Sequence, residues 1–395
     1  MSWPLGKVSD IAAVISGFAF KSEWFGTGDA KVIRIGDLKN GKIDLSDAMI
    51  FDHKTNKVRE QFKIKSGDIL MALSGATVGK IAVADSEAEG AYLNQRVAVI
   101  RGRNHENAEY LKYVFSGHPL QKLLLNAGGA AQPNLSSKDL AEMEIPIPPL
   151  TEQKKISTIL DKVNGIRQKR EQAIKLADNF LHTIFHEMFG DPVKNSKGWD
   201  VASLLEYGSF KNGMNFSKGE SGSALKCLGV GDFKSLATIN CMDNIGEIEL
   251  NTLPSDDYLL KDGDIVFVRS NGNKALVGRC LTIYPNKEKV TFSGFCIRYR
   301  IEKPAITPEY LNFLFRTPSM KRKMLSGGQG ANIQNISQGT LSALRIPVPP
   351  LEKQLAFTRL VDFHESLVKK QEDKVTELAK FFDALAGDLL TFNKL

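Results

Sequence analysis

The sequence Ile145-Pro-Ile-Pro-Pro-Leu150, followed by Gln153, occurs a second time as Ile346-Pro-Val-Pro-Pro-Leu351, followed by Gln354. Proline fits the first turn of a helix but disrupts its interior. A helix should therefore begin after each Pro-Pro pair, and the residues before each pair should belong to a separate domain. Two such junctions in one chain indicate that the same plan is used twice.

The rest of the chain repeats in the same order, at an offset of about 200 residues. The matching segments are Trp3 with Trp199, Ser16–Phe20 with Asn212–Phe216, Ile35–Leu38 with Val230–Phe233, Ser66–Ile69 with Asp262–Ile265, and Glu109–Leu111 with Glu309–Leu311. Copies of this length are too long for solenoid repeats, so each is a domain with an appended helix. We expect an internal pseudo-two-fold repeat.

Both appended segments carry apolar residues at the 3–4 spacing of a coiled-coil seam. The seam positions are Ile156, Ile159, Val163, Ile166, Ala173, Ala177, Phe180 and Ile184 in the first copy, and Phe357, Leu360, Leu367, Leu378, Phe381 and Leu385 in the second. This predicts two long antiparallel helices of roughly 38 residues, or ~57 Å, each. Alternatively, each helix packs on its own domain. A second stripe, Leu160, Leu181 and Met188, would cover the adjoining domain or form an interface with another subunit.

The segments before the two helices have a different pattern. Short Val/Ile/Phe-rich runs, punctuated by Gly, Asn and Asp, predict strands, and one passage in each copy predicts a helix. The strand examples are Lys31–Ile35, Ala91–Arg101 and Lys289–Ile301, and the helical passages are Tyr110–Leu125 and Tyr310–Leu325. We therefore predict a mixed α/β (α+β) fold with four segments: a domain over 1–148, a long helix over 149–189, a second domain over 190–349 and a second long helix over 350–395.

The composition is that of an ordinary globular protein, with 42% hydrophobic and 25% charged residues. The net charge of +7 is compatible with a polyanionic partner but does not establish one. The four cysteines, Cys227, Cys241, Cys280 and Cys296, match no zinc or redox spacing and predict reduced thiols in a cytoplasmic protein. No run is long and apolar enough for a membrane span, and Ile11–Phe20 does not make a convincing signal peptide.

The sequence offers no convincing catalytic or metal site. Gly75–Lys80 resembles a phosphate-binding loop, but it has three residues between its glycines instead of four, and Ile81 stands where Ser or Thr would ligate magnesium. His182 and His186 are four apart on one helix face beside Glu187, without a third ligand, so structural roles are favoured. We expect a non-catalytic chain without cofactor or metal.

Side chains that suit DNA recognition do occur, in loops of both copies. Arg and Lys can read guanine edges, Asn and Gln adenine edges, and Ser or Thr either. Each copy also has a Gly-rich turn that closes on a basic residue, which suits a backbone approach to phosphate, although a hairpin turn with a solvated cation is the alternative. The candidates are Ser74, Thr77, Lys80, Asn94, Gln95, Arg96, Gln132 and Asn134 in the first copy, and Arg269, Ser270, Asn271, Asn273, Lys274, Arg279, Asn332, Gln334 and Asn335 in the second.

The whole plan resembles the specificity subunits of type I restriction-modification enzymes (the HsdS family). The resemblance is carried by Gly67-Asp68-Ile69 followed by Ser74–Lys80, by the two helix entries with their glutamines, and by the segment from Met188 to Trp199. It covers essentially the full chain. Arg269–Lys274 departs from the first copy at the Gly-rich loop, as expected for domains that read different sequences.

The resemblance implies that each copy contains a target-recognition domain that reads one half of a split sequence in double-stranded DNA. It also implies that the helix pair docks modification (methyltransferase) subunits, which use S-adenosylmethionine, and that restriction subunits (ATP-dependent endonucleases) join them. Two alternatives remain at this point. One is a free-standing bipartite DNA-binding regulator, and the other is a scaffold protein without DNA affinity.

Overall fold

A computed structural model of the chain describes residues 3–116, 121, 124, 135–217, 219–233, 237–326 and 335–390. The chain divides into two compact units. Unit 1 comprises Met1–Gln172 and Glu372–Leu395, and unit 2 comprises Ala173–Gln371. Among the described residues, no helix is long and apolar enough to cross a membrane.

The two halves of the chain have similar, though not identical, orders of helices and strands. The helices are α1 Val8–Ile11, α2 His105–Val114, α3 Ser137–Glu142, α4 Leu150–Phe189, α5 Pro308–Arg316, α6 Pro318–Ser326, α7 Gln338–Ser342 and α8 Leu351–Leu389. The strands of the first half are β1 Leu5–Lys7, β2 Ala12–Ser16, β3 Phe25–Ile33, β4 Leu38–Lys39, β5 Gly41–Ile43, β6 Met49–Phe51, β7 Ile69–Ala72, β8 Ile81–Val83, β9 Tyr92–Leu93, β10 Val97–Gly102 and β11 Glu144–Pro146. Those of the second half are β12 Val201–Ser203, β13 Gly208–Asn212, β14 Ser223–Leu228, β15 Thr238–Ile239, β16 Glu247–Leu250, β17 Asp264–Val268, β18 Cys280–Ile283, β19 Val290–Phe292, β20 Cys296–Ile301 and β21 Arg345–Pro347.

The sheets confirm the predicted repeat and the mixed α/β class. Unit 1 has a large sheet in the order β2-β10-β7-β8-β5-β4, a second sheet β6-β3-β9 and a ribbon β1-β11. Unit 2 has the order β13-β20-β17-β18-β15, a second sheet β16-β14-β19 and a ribbon β12-β21. Corresponding strands also keep their direction, since β5–β8 and β15–β18 are both parallel pairs.

Two runs that the sequence predicts as single strands are each broken in the structure. Ala91–Arg101 forms β9 and β10, with residues 94–96 between them, and Lys289–Ile301 forms β19 and β20, with residues 293–295 between them. The first strand of each pair joins the small sheet, and the second joins the large sheet. The break is therefore the point where the chain crosses from one sheet to the other.

The glutamine that follows each Pro-Pro pair is buried and hydrogen-bonded at the start of the long helix. Gln153 is buried at the start of α4, where its amide donates to the carbonyl of Pro148 at 2.8 Å and its oxygen accepts from Asn107 of α2. Gln354 is fully buried and donates to Pro349 at 2.8 Å, while its oxygen accepts from the backbone N–H of Thr307. A glutamine at this position satisfies buried polar groups and fixes the helix entry against the domain.

The two tryptophans that begin the copies have one role in common. In unit 1, Trp3 Nε1 donates to the carbonyl of Leu389, the last residue of α8, at 2.9 Å. In unit 2, Trp199 Nε1 donates to the carbonyl of Phe189, the last residue of α4, at 3.1 Å. Carbonyls at a helix end lack partners within the helix, so each indole satisfies one of them. Each unit thus contains the end of one long helix and the beginning of the other.

The long helices are confirmed, but the predicted seam is only partly correct. Within unit 2 the helix segments pair in antiparallel fashion, since Phe185 contacts Phe357, and Asp178 pairs with His364 at 3.1 Å. Of the predicted seam positions, Ile156 and Phe357 are buried, whereas Ile159, Ile166, Phe180, Leu360, Leu367 and Phe381 are exposed. The faces that each domain covers decide which positions are buried.

The structure corrects the predicted subunit interface. Leu160 is fully buried in the core of unit 1, and Leu181 is buried in the core of unit 2. Met188 is half-buried and packs on the same core as Leu181. Leu160 thus holds the start of α4 on the first domain, and Leu181 and Met188 hold its end on the adjoining second domain. Since Leu160 and Leu181 are buried in these cores, they do not form a surface for another subunit.

A buried ion pair occurs at the same place in both large sheets. Arg101 of β10 makes two bonds to the Asp68 carboxylate, at 2.6 and 2.7 Å, and Arg300 of β20 makes two to Asp264, at 2.7 and 2.9 Å. Each carboxylate also accepts a backbone N–H, from Lys65 or from Lys261, at 2.7 Å. The aspartate of each repeated Gly-Asp-Ile sequence therefore anchors the start of β7 or β17.

Candidate nucleic-acid interface

A closed loop follows the corresponding strand in each unit. In unit 1, Ala72 accepts from the N–H of Gly79 at 3.0 Å and donates to the carbonyl of Lys80 at 2.9 Å. In unit 2, Val268 makes the same two bonds, with Gly278 at 3.0 Å and with Arg279 at 2.8 Å.

Both closing glycines have positive φ, +79° and +75°, which favours glycine over any other residue. The first loop is Leu73–Val78, and the second, Arg269–Val277, is three residues longer. The Gly-rich sequences are thus hairpin loops that end on a basic residue.

A second loop meets the first one. Leu73 donates to the carbonyl of Arg96 at 3.0 Å, so the segment between β9 and β10 lies beside the hairpin loop. In unit 2, Arg269 donates to the carbonyl of Phe295 at 2.8 Å, between β19 and β20. The breaks between the sheets therefore bring residues 94–96 and 293–295 to the hairpin loops.

A third segment completes the arrangement. The backbone N–H of Leu135 donates to the carbonyl of Leu73 at 3.0 Å, and that of Ile336 donates to the carbonyl of Arg269 at 3.0 Å. Ser270 and Asn335 also form a β-bridge. We call the three converging segments the loop end of each unit: residues 73–80, 94–96 and 135 in unit 1, and residues 269–279, 293–295 and 335–336 in unit 2.

The structure brings most of the predicted DNA-binding residues to these loop ends. Those that are exposed are Thr77, Gln95, Arg96, Arg269, Asn273, Lys274 and Asn335, and those that are half-buried are Ser74, Lys80, Asn94, Ser270, Asn271 and Arg279. Gln132, Asn134, Asn332 and Gln334 lie outside the described residues. Their neighbours Leu135 and Asn335 are at the loop ends.

Several of these side chains also shape their own loops. Asn94 Oδ1 accepts from the N–H of Arg96, Asn271 Oδ1 from that of Asn273, and Asn273 Oδ1 from that of Ala275. Such Asx turns fix the backbone two residues ahead. The guanidinium of Arg279 folds back onto carbonyls of its surroundings, at 3.3 and 3.4 Å. These residues position the loops in addition to any contact that they make with a ligand.

The loop ends carry cations that no carboxylate neutralises. Lys80 and Arg96 in unit 1, and Arg269 and Lys274 in unit 2, have no ion-pair partner among the described residues. At the other end of β8, by contrast, the exposed charges of the turn are acidic: Asp85, Glu87 and Glu89. A polyanion would be attracted to the cations of the loop end more than to this acidic turn.

A family model described as the type I restriction modification DNA specificity domain matches the chain twice, over residues 2–176 and 209–377. The chain belongs to this family of DNA specificity proteins. The two matches fall on the two copies of the fold, which explains the repeat.

Relatives and solved structures agree with this family. The StySPI specificity subunit of Salmonella potsdam is 27% identical over 384 residues, which span 91% of this chain and 81% of the relative. The EcoKI specificity subunit of Escherichia coli K12 is 26% identical, with the same shares of the two chains. The S subunit of the M. genitalium type I system has a TM-score of 0.53 at 15% identity and covers 100% of this chain and 97% of its own. A structure from a study of assembly in the type I R-M system has a TM-score of 0.58 at 18% identity, with 98% and 97% covered. The structures support the shared fold.

Two further residues lie at or beside the loop end of unit 2 in this specificity protein, and neither is among the sequence-based DNA-binding candidates. Phe295 is 61% exposed and occupies the position of Arg96 in the other copy. Aligning Asn94–Arg96 with Ser293–Phe295 would have found it. Lys321 of α6 donates to the carbonyl of Ala275 at 3.1 Å, and burial together with the nearby Arg279 lowers the pKa of its ammonium. The sequence shows Lys321 as part of the basic cluster Lys321–Lys323, a solvated helix face or a phosphate contact, and the packing of α6 places it beside the hairpin loop of unit 2.

One of the two helix histidines of this specificity protein packs on an aromatic ring. The ring centroids of His182 and Phe313 are 5.1 Å apart, and desolvation lowers the pKa of the His182 imidazole. Among the described residues, no group of three His, Cys, Asp or Glu side chains could hold a metal ion.

Proposed function

We propose that this chain reads a bipartite target in double-stranded DNA, one half-site through each loop end, as the specificity subunit of a type I restriction-modification complex. Residues 1–148 and 190–349 are the two target-recognition domains in this proposal. The observation that carries it is that the same three-segment loop end is built twice on the same scaffold with different exposed side chains. One scaffold with two sets of side chains suits recognition of two different half-sequences.

The loop ends contain two kinds of side chain, which would have different roles in DNA binding. The cations without carboxylate partners would neutralise phosphates and position each unit on the duplex. Side chains with paired donors and acceptors, such as Gln95 and Asn335, would read base edges in the major groove. We assign the chain no catalytic step, and we propose that modification subunits methylate the DNA while restriction subunits cleave it.

The long helices offer a surface for those subunits. The exposed large apolar side chains on α4 and α8 include Ile159, Ile166, Leu176, Phe180, Leu360, Phe363, Leu367 and Phe381. Exposed apolar groups favour protein–protein contact where they form a contiguous patch. A free-standing DNA-binding regulator would not need them, so we favour docking of modification subunits here, in place of the buried stripe that contains Leu160.

Loop variants in a reconstituted complex test the bipartite reading. With modification subunits and S-adenosylmethionine, the variant Asn335→Ala should relax only one half of the methylated sequence, because a base contact contributes roughly 1–3 kcal/mol. The matched variant Gln95→Ala should affect only the other half. Sequencing of methylated sites measures both. If either variant altered both half-sequences, the assignment of one half-site to each unit would be wrong.

Phe295 should contribute to DNA affinity without contributing to folding. An exposed phenyl ring can contact a thymine methyl group or wedge between bases, so Phe295→Ala should weaken specific binding roughly ten-fold, about 1.4 kcal/mol. The thermal unfolding midpoint should be unchanged, since the ring is 61% exposed. Phe363→Ala, which removes a 70% exposed ring from α8, is the control and should leave DNA affinity unaltered. A mobility-shift titration distinguishes the two variants.

A further inference from the structure

An acidic cavity lies where α5 meets α8 in unit 2. Its volume is about 40 Å³, and its lining includes three carboxylates, Glu309, Asp362 and Glu365, together with Asn312 and Tyr284. Three negative groups around one small cavity are unfavourable unless a positive charge compensates them. The cavity belongs to neither loop end.

The corresponding place in unit 1 contains such a positive charge. Lys112 of α2 places its ammonium 2.7 Å from Glu109 and 2.8 Å from Asp161 of α4, and the hydroxyl of Tyr113 also donates to Asp161. Glu109 corresponds to Glu309. Asp161 follows Gln153 by the same eight positions that separate Asp362 from Gln354. One lysine thus neutralises both carboxylates within the chain.

In unit 2 an asparagine replaces that lysine. Asn312, which is 2% exposed, donates through Nδ2 to the carbonyl of Ala237 at 2.9 Å and to Thr282 Oγ1 at 2.8 Å. Its Oδ1 is buried and has no hydrogen-bond partner among the described residues. Leaving a buried acceptor without a hydrogen bond costs free energy, so Oδ1 of Asn312 indicates that a donor from another molecule binds here.

The carboxylates also lack a counter-charge. Glu309 accepts hydroxyl hydrogen bonds from Tyr284 and from Thr358, the latter at 3.0 Å, but neither donor is charged. Asp362, which is exposed, has no ion pair among the described residues, and partial desolvation together with the charge of Glu309 raises the pKa of its carboxyl. Among the described residues that line it, the cavity therefore presents several acceptors and no cation.

We propose that this cluster binds a lysine or arginine side chain of the modification subunit, which supplies from outside the charge that Lys112 supplies within unit 1. The proposal rests on the proposed function, in which the long helices dock that subunit. DNA is excluded as the ligand by its negative charge. The described carboxylates do not form a metal-binding group. Phe363, the residue after Asp362, is 70% exposed, so the acidic cluster adjoins an apolar surface that suits a protein partner.

The proposal makes the two units unequal as docking sites. Unit 1 neutralises its own carboxylates, whereas unit 2 depends on its partner to do so. Removing one member of a desolvated interfacial charge pair mainly increases the dissociation rate. The partner should therefore be lost selectively from unit 2 when the cluster is altered.

The test uses the full chain and the purified modification subunit. Asp362→Asn should raise the Kd for that subunit at least about ten-fold by calorimetry, while the thermal unfolding midpoint of the isolated chain stays the same or rises. Asp373→Asn, the same charge change at another exposed position of α8 that does not line the cavity, is the matched control and should leave the Kd unchanged. Asn312→Lys, which places the ammonium within the chain, should also weaken partner binding.

The possible outcomes are distinct. If wild type and Asp362→Asn bind the modification subunit equally, this proposal is overturned and the proposed function stands. If the unaltered chain binds no modification subunit, the docking role fails and this proposal fails with it. If Mg²⁺ or K⁺ raises the unfolding midpoint of the isolated wild type but not of Asp362→Asn, the ligand is an inorganic ion, which also overturns the proposal.

Discussion

Raising the salt concentration from 50 to 200 mM should weaken DNA binding by this chain ~10³- to 10⁵-fold, provided that it makes ~6 to 10 phosphate contacts. The physical reason is that each lysine or arginine that neutralises a phosphate releases condensed counterions, and salt opposes that release. Both loop ends contribute such groups, among them Lys80, Arg96, Arg269 and Lys274. Titrations of the chain with a DNA fragment at several salt concentrations give the slope of log K against log salt.

Single variants refine this expectation. Lys80→Ala and Lys274→Ala should each reduce the slope by about 1 if the lysine contacts a phosphate. Lys287→Ala removes an exposed lysine from the turn at the opposite end of β18 and should leave the slope unchanged. An affinity that stays flat between 50 and 200 mM salt would exclude the loop ends as an electrostatic contact surface for DNA. Equal effects of Lys287→Ala and Lys274→Ala would mean that net charge matters and position does not.

The repeat and the helix entries were predictable because they depend on local signals. A Pro-Pro pair followed by a helical pattern specifies where α4 and α8 begin, and they start at Leu150 and Leu351. The seam was harder to predict, because a helix of 40 residues offers more than one apolar stripe. Ile156 belongs to both the predicted seam and the buried face, but Leu160 is buried while Ile159 is exposed. Which stripe is buried depends on the domain surface beneath it, and that surface forms only in the tertiary structure.

The arrangement of the candidate site could also be predicted only in part from the sequence. Turn-forming residues next to strands predicted the loops, but their convergence depends on hydrogen bonds between segments far apart in sequence, such as Leu73 with Arg96 and with Leu135. The break at residues 94–96 was hidden inside an apolar run that looks like one strand. The acidic cavity could not be predicted, because the change from Lys112 to Asn312 between the copies becomes meaningful only when the fold brings Glu309, Asp362 and Glu365 together.

Loss of the buried ion pair in either large sheet should cost about 3–5 kcal/mol of the free energy of unfolding, because it leaves a carboxylate buried without its counter-charge. Asp68 and Asp264 are 2% and 1% exposed in their side chains, while their arginine partners are 23% and 16% exposed. We therefore expect Arg101→Met to destabilise unit 1 and Arg300→Met to destabilise unit 2.

Urea unfolding followed by tryptophan fluorescence measures these changes, and Trp199 reports on unit 2 because the other two tryptophans, Trp3 and Trp24, belong to unit 1. Lys7→Met, which breaks the ion pair with Glu142 between half-exposed side chains, is the control and should leave the midpoint nearly unchanged. Asp264→Asn combined with Arg300→Met removes both charges and should recover part of the loss seen for Arg300→Met alone, because no unpaired charge stays buried. A loss below about 1 kcal/mol for both arginine variants would show that water reaches Asp68 and Asp264 well enough to replace the guanidinium. The repeated Gly-Asp-Ile sequence would then need another explanation than an anchor for β7 and β17.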